Sequence, residues 1–103
     1  MKEIKNLTHL ETIAKNNLSI VIAKTHSCST CKMIIEHLTK TIPRLNDVDT
    51  YQVFVDDLDE VRGRLVIFSV PTVLVFSNGK EILRESRFIN THKINRLLDN
   101  FLN

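Results

Sequence analysis

A continuous apolar run, Ile20-Val21-Ile22-Ala23, leads through a short polar stretch into Cys28-Ser29-Thr30-Cys31, and a helical pattern follows. The run is rich in β-branched residues and does not alternate with polar ones. That is the pattern of a strand buried on both faces, as in a mostly parallel sheet. Beyond it, Cys31, Ile34, Ile35, Leu38 and Ile42 recur at intervals of three or four, which puts them on one helical stripe. Cys31 therefore faces the core and Cys28 stands at the helix start. A buried strand feeding a helix through a short loop is half of a βαβ unit, and it restricts the chain to α/β architectures.

The rest of the chain extends that pattern. Thr8 and Glu11 have the spacing of a capping box, and Leu10, Ile13 and Ala14 follow, so a first helix is expected from about residue 8 to 16. Pro43 ends the cysteine-bearing helix. Residues 51–55 read as a second parallel strand, and Asp56, Asp57, Asp59 and Glu60 open a short helix, where acids suit the N-terminus. Residues 72–76 form a third strand, followed by the hairpin signal Asn78-Gly79 and an antiparallel return over residues 80–88. Asn90 caps a last helix with Ile94, Leu97, Leu98 and Phe101 on one face. The expected order is α-β-α-β-α-β-β-α.

At 103 residues the chain is expected to form one domain, residues 1–103. Its composition, 43% hydrophobic and 25% charged, is that of a globular protein. The formal net charge of +2 is too small to argue for a nucleic acid or an anionic membrane as partner. No stretch approaches the ~20 apolar residues of a membrane span. Residues 1–17 lack the apolar core and cleavage site of a signal peptide, so a reducing cytosol is the expected compartment.

There are two cysteines, Cys28 and Cys31, and a bridge between them would close only a small loop and constrain little of the unfolded chain. If they pair, chemistry explains it better than architecture. At a helix start, unpaired N–H groups stabilise a thiolate, which lowers the thiol pKa and creates a nucleophile. A second thiol one turn further on can attack the resulting mixed disulfide. In a cytosolic protein with a βαβ pattern this context favours redox work.

Other readings of the pair exist. Structural zinc wants four ligands, and here Cys28 and Cys31 would have to recruit His26 or His37 without a second cysteine pair. Two buried cysteines of no chemical consequence are a plainer alternative, which the polar Ser29-Thr30 insert disfavours. No metal and no cofactor are expected.

His26, two residues before Cys28, is a candidate thiolate modulator, since a nearby imidazolium would favour the charged form. An ordinary exposed loop histidine is the preferred reading. Lys32 would help steer acidic partners or is simply solvated. His9 and His92 fall in first helical turns and read as surface residues. The acidic segment 47–60 is no calcium loop, because Gln52 and Leu58 stand where Gly and Glu are required.

Three landmarks together resemble the thioredoxin family over nearly the whole chain: Cys28-Ser29-Thr30-Cys31 after the first strand, Val70-Pro71-Thr72, and the hairpin Phe76-Ser77-Asn78-Gly79-Lys80. The resemblance implies a thioredoxin-like α/β fold, a central mixed sheet of parallel strands plus a C-terminal β-hairpin, flanked by helices. It implies a catalytic pair, with Cys28 attacking and Cys31 resolving. It implies a cis Pro71 facing the disulfide, within a substrate groove formed by Val70, Pro71 and Thr72. The Val70 backbone would pair with an extended substrate strand. The implied activity is reduction of protein disulfides, with disulfide-containing proteins as substrates and a thioredoxin reductase or another thiol donor as the electron source. A reducing member would have a potential of roughly −200 to −270 mV.

The chain departs from the family pattern at several points. It has no Trp, its motif reads Ser27-Cys28-Ser29-Thr30-Cys31, and Ile22 and Gln52 stand where a buried Asp and a Lys are usual. The second helix lacks the kinking proline, and Ser86-Arg87-Phe88 replaces a groove glycine, a bulkier edge that would narrow the choice of partner. The competing expectation is a thioredoxin-fold binding module that holds a partner beside Pro71 with little turnover. An oxidase or isomerase would need an oxidising compartment.

Overall fold

A computed structural model describes residues 1–102. The chain runs β1 (Lys2–Glu3), α1 (Leu7–Ala14), β2 (Ser19–Lys24), α2 (Ser29–Thr41), a 3-10 turn (Pro43–Asp47), β3 (Asp49–Phe54), α3 (Asp59–Leu65), β4 (Thr72–Ser77), β5 (Lys80–Ser86) and α4 (Thr91–Leu102). The sheet order is β1-β3-β2-β4-β5. The first three of these run parallel, and β4 and β5 run antiparallel to their neighbours. This is the mixed sheet that the sequence predicts.

Alternation along β2 divides the core between the two faces of the sheet. Val21 and Ala23 join Leu10, Ile13, Val61 and Leu65 under α1 and α3. Ile20 and Ile22 join Leu38, Ile42, Ile94 and Leu98 under α2 and α4. All four of these β2 residues are fully buried, which is why the run shows no polar alternation. The helical stripe reaches the core at Cys31, Leu38 and Ile42, while Ile34 and Ile35 are half-buried. On α4, Ile94 and Leu98 are buried but Phe101 is exposed.

Several boundaries differ from the sequence expectation, each for a local reason. Helix α1 is capped by Asn6, whose side chain accepts from the His9 N–H at 2.8 Å, and not by Thr8. Thr8 already lies within the first turn, and Glu11 pairs with Arg64 at 3.3 Å instead of reaching back to a cap. The helix stops at Ala14 because the β4–β5 turn closes it. The Gly79 N–H donates to the Ala14 carbonyl and the Asn78 N–H to the Asn16 carbonyl, both at 2.8 Å. Gly79 has φ +87, where a Cβ is disfavoured. Pro43 opens a 3-10 turn after α2 has ended at Thr41. Helix α3 begins at Asp59, so Asp56 and Asp57 lie in the preceding loop. His9 is half-buried, edge-on to Tyr51, and not a plain surface residue. Asn90 does cap α4, accepting from the Lys93 N–H at 3.2 Å.

No helix among the described residues is long and apolar enough to cross a membrane.

Candidate active site

The C-terminal end of β2 and the start of β4 meet at one end of the sheet, because Ala23 lies in register with Thr72. This register brings the β2–α2 loop, with its cysteines, to the same end as the Val70-Pro71 segment. The Val70–Pro71 peptide bond is cis, as the resemblance implies. Pro71 is buried and Val70 is half-exposed.

Cys28 and Cys31 form a disulfide, with their Cα atoms 5.4 Å apart. Cys28 is the N-cap of α2 and half-exposed, whereas Cys31 is only 1% exposed. Two donors converge on the Cys28 sulfur. The Cys31 backbone N–H reaches it at 3.2 Å and the Thr30 hydroxyl lies 3.4 Å away. The sulfur of a disulfide carries no proton, so Thr30 is the donor in the second contact. Retained on reduction, the same two donors would point at the thiolate charge, and hydrogen bonds to the charged form favour it.

A cavity of about 560 Å³ opens beside the disulfide, and Cys28, Cys31, His26, Phe54, Lys24 and Lys32 are among its walls. His26 is exposed, as the preferred sequence reading has it, yet it is held on three sides. Its ring stacks on Phe54 with centroids 4.0 Å apart, and its Nε2 meets Asp57 Oδ2 at 2.7 Å. Its backbone N–H donates to Asp56 Oδ2 at 3.2 Å. Lys24 Nζ lies 4.7 Å from the Phe54 centroid. The hydrogen bond to Asp57 raises the His26 pKa, an effect partly offset by desolvation and reinforced by the charges of Asp57, Asp56 and Glu3.

Nothing in the sequence announced this clasp. Phe54 and Asp57 approach His26 only because β3 runs parallel to β2, so that both loops leave the sheet at the same end. His26, Asp56 and Asp57 place their ligand-type atoms within 4.8 Å of one another, but all three are exposed and their mutual hydrogen bonds explain the grouping. Among the described residues, neither cysteine belongs to a group of three potential metal ligands. Ile22 is fully buried in the sheet, in register with Gln52 on β3.

A mixed five-stranded sheet, flanked by helices and bearing a disulfide-forming Cys-x-x-Cys at the start of α2 near a cis proline, defines a class: thioredoxin-fold proteins with a dithiol centre. The family model described as Thioredoxin matches residues 1–100. A thioredoxin of Mycoplasma genitalium is 35% identical over 100 residues, covering 95% of this chain and 97% of that protein. Thioredoxin-like protein YdfQ of Bacillus subtilis (strain 168) is 28% identical over 102 residues, covering 95% of this chain and 91% of the relative. The solved structure of Plasmodium falciparum thioredoxin matches in fold, with a TM-score of 0.80 at 24% identity over 97% of this chain and 98% of the other.

This chain belongs to the thioredoxin family. Family and disulfide-forming pair together make it a thiol–disulfide oxidoreductase.

Proposed function

We propose that this protein reduces disulfide bonds in partner proteins, with Cys28 as the attacking thiolate and Cys31 as the resolving thiol. The observation that carries the proposal is the asymmetry of the pair. Cys28 is half-exposed beneath two hydrogen-bond donors, and Cys31 is withdrawn to 1% exposure behind it.

The cycle starts from the reduced protein. The Cys28 thiolate attacks one sulfur of the substrate disulfide. The substrate S–S bond breaks, and its other sulfur leaves as a thiolate that takes up a proton. Cys28 is then joined to the substrate in a mixed disulfide. The Cys31 thiol loses its proton to solvent entering the cavity and attacks the Cys28 sulfur. The Cys28–Cys31 bond forms and the substrate departs with its second sulfur reduced. Two electrons have passed to the substrate. A thiol donor, a thioredoxin reductase or a small dithiol, returns them. The groove beside Val70, Pro71 and Thr72 would receive the substrate chain by strand addition. A reducing compartment such as the cytosol suits this direction of exchange.

Ile22 favours a second reading, a binding module with little turnover. No carboxyl stands at that buried position to take the Cys31 proton. Reduction of insulin in dithiothreitol, followed by turbidity, separates the two. The reductase accelerates precipitation and Cys28→Ser does not, and prereduced Cys31→Ser, freed of dithiothreitol before mixing, accumulates a mixed disulfide with insulin. Wild-type protein that binds insulin without accelerating its reduction would leave the module.

A further inference from the structure

The two most exposed large apolar side chains, Phe68 at 89% and Phe88 at 91%, stand on the two backbone segments that adjoin the cis Val70–Pro71 bond. Phe68 precedes Pro71 on the same loop. Phe88 follows Arg87, whose backbone N–H donates to the Pro71 carbonyl at 3.2 Å.

Both aromatics stand on pinned backbone. Thr72 Oγ1 donates to the Ser69 carbonyl at 2.7 Å and lies 3.1 Å from Ser86 Oγ, which ties the two segments together. Arg62 Nε donates to the Ile67 carbonyl at 3.3 Å, just before Phe68. Arg87 has φ 63, and the Phe88 N–H bonds the Ser86 carbonyl at 2.7 Å, closing a three-residue turn about a left-handed residue. Such a turn is rare and strained for a side chain with a Cβ, and strain of this kind gathers at working sites. Its effect here is to turn Phe88 into solvent beside the groove.

Val70, two residues after Phe68, is half-exposed, and among the described residues its backbone N–H and C=O make no hydrogen bond. The local charge has a sign as well. Glu85 is engaged by Lys93 and by the Asn90 N–H, and Asp56 and Asp57 by His26. Lys32 and Arg87 are exposed and have no ion-pair partner among the described residues. On the Phe88 side of the segment the uncommitted charge is therefore positive, whereas Asp59 lines a cavity with Phe68 on the other side and has no ion-pair partner among the described residues.

We propose that Phe68, Phe88 and Arg87 form a specificity rim that selects extended partner segments carrying an apolar side chain and a carboxylate next to the disulfide. The rim rests on the reductase function proposed above and names its substrate class. An apolar partner side chain would bury the phenylalanine faces, and a carboxylate would meet the Arg87 guanidinium or the Lys32 ammonium. The Val70 peptide group would hold the segment between them.

The test compares three probes on the reduced protein at low salt. One is a peptide disulfide flanked by Leu and Glu, one the same peptide with Ser and Lys, and one hydroxyethyl disulfide. Wild type is expected to favour the Leu–Glu peptide by about tenfold or more in kcat/KM. Phe68→Ser combined with Phe88→Ser is expected to bring that ratio to about twofold. Arg87→Gly suits the left-handed φ, keeps the fold, and should remove the Glu part of the preference alone. Equal rates on both peptides, or a preference that survives the double substitution, would overturn the rim while hydroxyethyl disulfide is still reduced. No turnover of any probe would overturn the reductase function and the rim with it.

Discussion

Ile22 lies in register with Gln52 across the β2–β3 ladder, at the centre of the sheet and with no exposed surface. It packs with Leu38, Val73 and Leu98, and among the described residues no charged side chain is buried. Ile22→Asp should therefore lower the unfolding free energy by about 3–5 kcal/mol at neutral pH, because apolar packing is lost and the unpaired carboxyl must either be charged at high cost or be held protonated above its ordinary pKa. Burial raises the folded-state pKa of such a carboxyl above its unfolded value. The native state then holds a proton that the unfolded chain releases, so the variant's stability falls as pH rises above about 4. Urea denaturation at several pH values measures both effects. A variant as stable as wild type at neutral pH would show that the site can solvate a carboxylate.

Thr30 contributes the side-chain donor at the Cys28 sulfur. Thr30→Val removes the hydroxyl and keeps the shape. The contact is long, so its loss should slow alkylation of reduced Cys28 by iodoacetamide at neutral pH by about two- to fivefold. An unchanged alkylation rate would leave the Cys31 N–H as the sole hydrogen-bond support for the thiolate.

The His26–Asp57 pair predicts a defined pH dependence. The folded-state pKa of His26 is raised, first by its hydrogen bond to Asp57. A raised histidine contributes stability that is fully present below its unfolded pKa of about 6.5. That contribution is lost as pH rises through the folded value. The His26 imidazole signals should titrate with a midpoint above 6.5, and Asp57→Asn should bring the midpoint back towards 6.5. The difference in Tm between wild type and Asp57→Asn should be largest below pH 6.5 and shrink above it. A difference that grew with pH would contradict the assignment.

Much of the fold was legible because local pattern and burial agree. The unbroken Ile20–Ala23 run reports burial on both faces, and Asn78-Gly79 reports the hairpin. The cysteine stripe reports which thiol is withdrawn, as the 1% exposure of Cys31 bears out. What escaped depends on tertiary neighbours. Strand β1 has only two residues and no pattern of its own; it exists by pairing with Tyr51 and Gln52. The end of α1 is set by a hairpin far along the chain. The His26–Asp57 clasp joins residues 31 apart, and no local motif encodes it.

The most direct test of the dithiol cycle is the reduction potential of Cys28–Cys31, measured by equilibrating the protein in dithiothreitol or glutathione buffers and quantifying free thiols by mass. The expected result is one reversible two-electron transition between an open dithiol and an internal disulfide, at roughly −200 to −270 mV. Protein that forms only mixed adducts at every poise, with no Cys28–Cys31 bond, would contradict the cycle.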